Sequence, residues 1–421
     1  MTITGRQRSL ALTLLFGAAV FNYADRYMLG ILIPDIKRDL GLSDTEIGFI
    51  TGTAFTVFYA TMGIPIARMA DRMSRKTILA VALAAWSAMT ALCGLAQNFW
   101  QLAVARVLVG VGEAGCAPPS HSLITDYYPR EIRASAFANY ILGSPVGLLL
   151  GFMIGGWLSQ HYGWRVALFA FGAPGLVYAW VLYTKLIDVP RGYSDGIVAD
   201  PEQPPLWPTL KFLLSRGSFV HAALGTAIHG IVYLGIVGWA PSFFARSHGM
   251  STAEIGVWLS LVLGSGQLVG IWASGIWADI LARRDLRWYP WLSGYAILIG
   301  GPLYLIPFLW PTPTVALIGM CVPFFLGVFQ GGPVYTMVQG VAGPRMRAVA
   351  SALLLLIINV IGGGIGPQVI GMMSDRFSAQ YGDDSLRYTL LTVCLVFSTW
   401  AWVHFMLAAR TVRDDMANAP R

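Results

Sequence analysis

Apolar positions in this chain come in long blocks, not at the two-residue or three-to-four-residue spacing of a soluble fold. Twelve mainly apolar runs, separated by polar breaks, cover 10–34, 47–67, 77–96, 99–121, 134–158, 164–186, 218–243, 254–277, 289–310, 314–338, 348–373 and 388–409. At 1.5 Å per residue, about twenty apolar residues match a hydrocarbon layer of about 30 Å. The pattern predicts an all-α membrane protein with twelve transmembrane helices. Most breaks are too short to hold a soluble domain.

One signature is written twice. Ser43, Glu46, Ile47, Gly48, Ala70, Asp71 and Arg75 recur 208 residues later as Ser251, Glu254, Ile255, Gly256, Ala278, Asp279 and Arg283, and Arg284 answers Lys76. Each copy wraps one membrane-length run. Repetition at half the chain length implies two six-helix bundles of the same orientation, related by a pseudo-twofold axis. Residues 1–186 and 218–421 are the expected bundles, with 187–217 as a cytoplasmic linker. Pro190, Pro201, Pro204, Pro205 and Pro208 mark that linker. Within it, Trp207, Leu210, Phe212 and Leu213 among Lys211 and Arg216 allow either a short amphipathic surface helix or plain coil.

Composition agrees. Charged residues make up 12% of the chain and hydrophobic ones 56%, against roughly 25% charged in a soluble domain. The net charge of +7 could suggest nucleic acid, but its distribution says otherwise. With the N-terminus inside, twenty Lys and Arg fall on the cytoplasmic side and six on the other: Lys37, Arg38, Arg165, Arg246, Arg376 and Arg387. This positive-inside bias places both termini in the cytoplasm of a plasma (inner) membrane protein and removes any need for a nucleic-acid partner. Arg6 and Arg8 before an apolar run resemble a secretory signal, but the run continues past Asp25 to Pro34. Cys93, Cys116, Cys321 and Cys394 are scattered without metal-ligand spacing and read as packing residues.

The chemistry concentrates in four charges deep inside apolar runs: Asp25 and Arg26 in the first, Arg106 and Glu113 in the fourth. A lone charge at that depth costs at least ~2.5 kcal/mol, so each must face the bundle interior and find partners. Arg106 and Glu113, seven apart, share a helical face, whereas Asp25 and Arg26 point about 100° apart and cannot both face one partner. Fully ionised, the set sums to zero. Protonating one carboxylate leaves an arginine free for an anion, which would couple protons to substrate. A permanent structural ion-pair cluster is the alternative.

The second half holds only His229 and His404 at comparable depth, both expected as hydrogen-bonded packing residues. Tyr233, Gln267, Tyr304, Gln330, Tyr335, Gln339, Asn359 and Gln368 are its neutral polar groups, with Trp239, Phe243, Phe244 and Trp272 beside them. A substrate cavity is therefore expected from Tyr23, Tyr233, Trp239, Gln267, Gln330, Tyr335 and Asn359. One charged wall and one apolar-aromatic wall suit an amphiphile with a polar head and a long tail.

Gly110, Gly112 and Gly115 match a dinucleotide fingerprint but lie inside a membrane helix, where the required strand-to-helix turn cannot form. Gly143, Gly147, Gly151 and Gly155, every fourth residue, predict a thin face for helix contact. Gly362, Gly363, Gly364 and Gly366 give the eleventh run a similar section, for packing or as a moving hinge. No metal site, cofactor motif or nucleophile elbow is present, and no enzyme is expected.

Together these residues resemble the major facilitator superfamily along essentially the whole chain. Asp71-Arg72-x-x-Arg75-Lys76 is similar to its signature cytoplasmic loop, with Ala67 and Ser74 where that family has glycine; the second copy keeps Gly275 and Asp279-x-x-x-Arg283-Arg284. The resemblance implies a cytoplasmic gate of Asp71, Arg72, Arg75, Lys76, Asp279, Arg283 and Arg347, with Asp71 against a helix N-terminus near Arg347. Asn22-Tyr23-Ala-Asp25-Arg26-Tyr27, Gly41-Leu42-Ser43, Arg106-x-x-x-Gly110-x-Gly112-Glu113-Ala114 and Pro118 resemble the spinster family, whose animal members export lysophospholipids or sphingosine phosphate. That likeness implies a proton and substrate site at Asp25, Arg26, Arg106 and Glu113, and a monomeric carrier of an amphiphilic or anionic small molecule, with protons and membrane lipid as its other partners. Organic-anion permeases share Asn-Tyr-x-Asp-Arg, Glu113-Ala114 and Gly163-Trp164-Arg165, making a carboxylate the alternative substrate.

Overall fold

The helix-starting signals repeat with the motif. Ser43 Oγ accepts from Glu46 N at 3.1 Å, while Glu46 Oε2 accepts from Ser43 N at 2.9 Å. Ser251 and Glu254 make the same reciprocal pair at 3.4 and 3.0 Å. Such capping boxes satisfy two orphan N–H donors at a helix start, and this is the physical content of the duplicated Ser-x-x-Glu.

A computed structural model of the chain describes residues 3–194, 206–343 and 346–420; Pro201, Pro204 and Pro205 lie outside the described residues. Its regular structure is helical, with no strand among the described residues. The chain divides into two compact units, Met1–Asp200 with Ser251–Ser260, and Pro201–Met250 with Leu261–Arg421.

The first unit contains α1 (Gly5–Leu40), α2 (Asp44–Gly48), α3 (Ala54–Arg72), α4 (Arg75–Cys93), α5 (Phe99–Glu113), α6 (Ala117–Tyr127), α7 (Arg130–Ile141), α8 (Gly143–Tyr162) and α9 (Trp164–Lys185). A π-helical turn, Phe49–Thr53, joins α2 to α3. The second unit contains α10 (Leu206–Leu214), α11 (Gly217–His248), α12 (Thr252–Ala282) beyond its first turns, α13 (Trp288–Leu303), α14 (Leu305–Leu309), α15 (Pro313–Gly327), α16 (Gly331–Ala342), α17 (Arg347–Ile358), α18 (Gly366–Tyr381) and α19 (Ser385–Ala417).

Ten described stretches are long and apolar enough to cross a membrane. Two features separate this number from the twelve runs of the sequence. The 36-residue α1 falls outside the ten, because Asn22, Asp25 and Arg26 interrupt its apolar surface. Val349–Ala417 forms one apolar stretch of 69 residues, broken where Gly382 takes φ +53°, and α18 packs on α19 across that break.

Glycine faces set the closest helix contacts. In the first unit, Gly143, Gly147, Gly151 and Gly155 of α8 press on Ala19, Tyr23, Ala24 and Met28 of α1. In the second, Gly230 of α11 meets Gly362 in the π-helical segment Asn359–Ile365. Gly110 and Gly112 leave no space for a phosphate, since a Cβ would stand 2.5 Å from Phe55 O or 2.8 Å from Trp86 N. They are packing glycines.

Part of the expected linker is tied down. Arg75 is buried and donates to Ser122 Oγ, to Asp188 at 3.2 Å, to Val189 O and to the Asp126 carboxylate. Arg191 caps the end of α3 through Ala70 O at 2.7 Å and Met73 O at 2.9 Å, and Gly192 N donates to Asp126. Of the two options for the later segment, the helix is the one observed. It is α10, with Leu213 in the core of the second unit and Trp207 exposed.

The contact of α8 with α1 yields a packing prediction. A Cβ on Gly151 would lie 2.7 Å from Ala24 O and 3.1 Å from Met28 N, both backbone atoms that cannot turn aside. Gly151→Ala is expected to cost ~1–3 kcal/mol by overpacking and to lower the thermal midpoint in detergent. Gly238→Ala, at a helical position with nothing within 4 Å, is the control and should leave the midpoint unlowered or slightly raised, since Ala is the better helix former.

Candidate functional site

The site forms where α1, α3, α4 and α5 meet in the first unit. Glycines on α5 let Phe55 of α3 and Trp86 of α4 approach closely, and glycines on α8 seat α1. Asp25, Arg106 and Glu113 are 2%, 4% and 0% exposed, so the sequence-predicted charges are buried together. Arg26 is also mostly buried, its side chain 21% exposed.

Arg26 Nε donates to Glu113 Oε2 at 2.5 Å, and Asn22 Nδ2 donates to the same oxygen at 3.1 Å. Asp25 turns away, as the 100° separation requires, and accepts from Thr90 Oγ1 at 3.1 Å. Arg106 lies two turns along α5 from Glu113, its guanidinium carbon 4.9 Å from the Phe55 ring centre. The direct ion-pair partner of Glu113 is therefore Arg26. Arg26 also lies 4.3 Å from the ring centre of Tyr59, 5.0 Å from that of Phe55 and 5.7 Å from that of Tyr23.

Four polar atoms of this set are buried without a hydrogen-bond partner: Asp25 Oδ1, Arg26 Nη2, Arg106 Nε and Glu113 Oε1. Buried polar groups are normally satisfied, so this charged cluster keeps unused hydrogen-bonding capacity on both its carboxylates and its guanidinium groups. Glu113 Oε1 is a free acceptor for a proton, and the two arginines retain free donors for an anion. Among the described residues no cluster could hold a metal ion.

Sequence reasoning missed Phe55, Tyr59, Trp86 and Thr90. The only advance signal was that Phe55 and Tyr59 are four apart and share one face of a helix.

The neutral cavity residues fare unevenly. Trp239 is 0% exposed and sits inside the second unit, as do Phe243 and Phe244. Trp272 is an exposed ring on the outer surface. Tyr233 stacks on Phe324 with centres 5.2 Å apart, Gln267 is buried, Gln330 and Tyr335 are half-buried, and Asn359 Nδ2 donates to Leu355 O at 2.8 Å. His229 bonds Gly327 O at 2.9 Å, and His404 meets His221, which the sequence reading passed over, at 3.0 Å. Cys93, Cys116 and Cys394 are buried; Cys321 is exposed.

The gate set also divides. Arg75 is the buried hub already described, Arg72 is exposed, and Lys76 Nζ lies 5.1 Å from the Tyr183 ring centre. The Asp71 side chain lies outside the described residues. Asp279, Arg283 and Arg284 are exposed, and Arg347 Nε reaches Gln339 O at 3.4 Å. In the second copy the ion pairs belong to Asp285, bonded to Arg287 at 3.0 Å and Arg413 at 2.7 Å. The Arg287 backbone N–H, with these two guanidinium groups, holds the Asp285 carboxyl down at about 2.

Comparison with known proteins agrees with this architecture. The Major Facilitator Superfamily model matches residues 15–367. An MFS-type efflux pump of Mycolicibacterium smegmatis is 33% identical over 400 residues, covering 94% of this chain and 92% of its own. Protein spinster homolog 1 of Xenopus laevis is 25% identical over 448 residues, covering 99% and 83%. A crystal structure of a bacterial homolog to the human lysosomal transporter Spinster, in an inward-facing and unoccupied conformation, superposes with a TM-score of 0.91 at 30% identity, covering 98% of this chain and 99% of that one. With its all-helical fold and buried Arg26–Glu113 pair, the chain belongs to the major facilitator superfamily and is a multi-pass membrane transporter of the spinster type.

Proposed function

We propose that this transporter is a proton-coupled secondary carrier working by alternating access, with twelve transmembrane helices in two six-helix bundles related by a pseudo-twofold axis. The Arg26–Glu113 ion pair, flanked by unpartnered donors and acceptors, is the observation that carries the reading. With Glu113 ionised, Arg26 is neutralised by it. A proton arriving at Glu113 removes that compensation and leaves Arg26, with Arg106, to receive an anionic headgroup. Proton and substrate then favour different facings, each by its differential affinity for the two states.

Asp25, held by Thr90, is the second protonatable group of the set. The gate residues Asp71, Arg72, Arg75, Lys76, Asp279, Arg283 and Arg347 would latch and release the cytoplasmic ends. Tyr233, Gln267, Gln330, Tyr335 and Asn359 would supply neutral contacts from the second bundle. The substrate is an amphiphilic lysolipid or sphingoid-like molecule, moved across the inner membrane by a monomer with both termini cytoplasmic. The likeness to an efflux pump favours export.

A guanidinium binds carboxylate as well as phosphate, so an organic-anion permease is the second reading. Ligand-induced thermal stabilisation, screened over lysolipids, sphingoid phosphates and small carboxylates at two pH values, separates the two. Stabilisation by lysolipids or sphingoid phosphates is expected, and stabilisation by carboxylates alone would transfer the protein to the permease reading.

Glu113→Gln keeps the side chain's shape but cannot ionise. It should abolish the pH dependence of uptake into proteoliposomes, and an unchanged pH profile would remove Glu113 as the proton carrier. Arg106→Ala should weaken binding of the stabilising anion by about tenfold or more, equivalent to ~1.4 kcal/mol. Retained affinity in the same thermal-shift titration would make this arginine purely structural.

A further inference from the structure

We propose that Phe55 and Tyr59 form an aromatic platform that positions the Arg26 guanidinium for an anionic headgroup once Glu113 no longer neutralises it. The proposal rests on the function argued above and adds the positioning residues. Both rings belong to α3, one turn apart, and stack on each other with centres 5.7 Å apart and planes 14° apart. Arg26 lies over both, and the Phe55 ring is also the nearest aromatic partner of Arg106, so one ring serves two cations. The ring faces carry negative charge density toward a cation, an attraction that grows when water is absent.

The platform is fixed by backbone packing. Gly110 has no side chain, and its Cα faces the Phe55 carbonyl so closely that a Cβ would stand 2.5 Å from that oxygen. Phe55 is accordingly 5% exposed and cannot retreat. The Arg26 guanidinium is bonded through Nε to Glu113 and also meets the Tyr59 hydroxyl, while Nη2 is unpartnered. Without an aromatic surface, a guanidinium released from Glu113 would turn to another acceptor, and Asp25 Oδ1 is an unpartnered carboxylate oxygen on the adjacent residue. The rings keep the cation where Glu113 left it, with its free edge open to a ligand.

Among the described residues, the charged and titratable groups facing Glu113 and Arg26 are Tyr23 and Asp25 from α1, Tyr59 from α3, Arg106 from α5 and Cys116 beyond α5, with Tyr140 of α7 behind Cys116. Removing the platform makes the cation depend more on the Glu113 carboxylate. That carboxylate is then harder to protonate, and the pH midpoint of transport moves down.

The test compares Phe55→Leu/Tyr59→Leu with Tyr59→Phe, using lysophosphatidic acid as anionic probe and a monoacylglycerol as its uncharged counterpart. The Leu variant should bind lysophosphatidic acid about tenfold more weakly than the parent, bind the uncharged lipid equally well, and shift the transport midpoint by about one pH unit downward. Tyr59→Phe, which keeps the ring and loses only the hydroxyl that meets Arg26, should match the parent in all three, and behaviour like the Leu variant would assign the effect to that hydroxyl and overturn the platform. Equal losses for both lipids with an unmoved midpoint would show that the rings only fill space. If the double variant does not fold, Tyr59→Leu alone, at the half-buried ring, takes the same comparison. A parent with no pH dependence defeats the proton reading but not this one, because anion against neutral lipid at one pH still decides it. Should the parent bind carboxylates only, an alkyl carboxylate against its alcohol replaces the pair, and equal losses again overturn the platform.

Discussion

A guanidinium at membrane depth must be compensated, and Arg26 imposes that requirement on the first unit. Water cannot reach it freely, so protein groups have to supply both charge and hydrogen bonds. Glu113 provides the charge from α5, Asn22 braces the same carboxylate oxygen, and three rings cover the cation. None of these groups reaches Arg26 unless the helices come unusually close. Glycines at every fourth position of α8 bring it onto α1, and Gly110 and Gly112 bring α5 onto α3 and α4. The small residues and the buried charges are thus parts of one solution.

The two copies of the repeated motif show which features a sequence encodes locally and which depend on partners. Ser43–Glu46 and Ser251–Glu254 form the same capping box because everything it needs lies within four residues. The cytoplasmic ends differ. Arg75 reaches Asp126, a buried carboxylate on α6, whereas 208 positions further on stands Val334, a core residue of the second unit. Arg283 therefore has no acid to enter and is exposed, while Asp285 gathers the guanidinium groups at that end.

The same distinction governs what could be read in advance. Run length exposes a membrane helix, and an ionisable residue inside such a run announces a buried site, so the four charges were legible. Their pairing was not. Helical phase places Arg106 and Glu113 on one face, but it cannot reveal that Arg26 of another helix inserts between that face and α3. Phe55 and Tyr59 looked like ordinary apolar positions, since an aromatic residue's partner is decided by tertiary contact. The burial of Trp239 was equally illegible: its polar neighbours in sequence suggested a cavity wall, and the packing of its unit takes the whole ring out of solvent.

Charge is also distributed unequally between the units, and this constrains the proposed cycle. In the second unit the deep polar groups are neutral or mutually bonded: His229 on a backbone carbonyl, and His221 on His404 with one ring donating and the other accepting. These bonds join neutral groups and carry no ion pair. In the first unit's cluster the groups are charged: Asp25 and Glu113 each keep one oxygen unengaged, and Arg26 and Arg106 each keep one unengaged nitrogen. A proton entering at Glu113 Oε1 gains a partner without first breaking a hydrogen bond, and its charge then weakens the hold on Arg26. Buried networks left incomplete are destabilising, and their stabilisation is recovered when the missing ligand binds. Proton occupancy of Glu113 should therefore set the anion affinity of the first unit's cluster, with the second unit contributing shape and apolar surface but no charge.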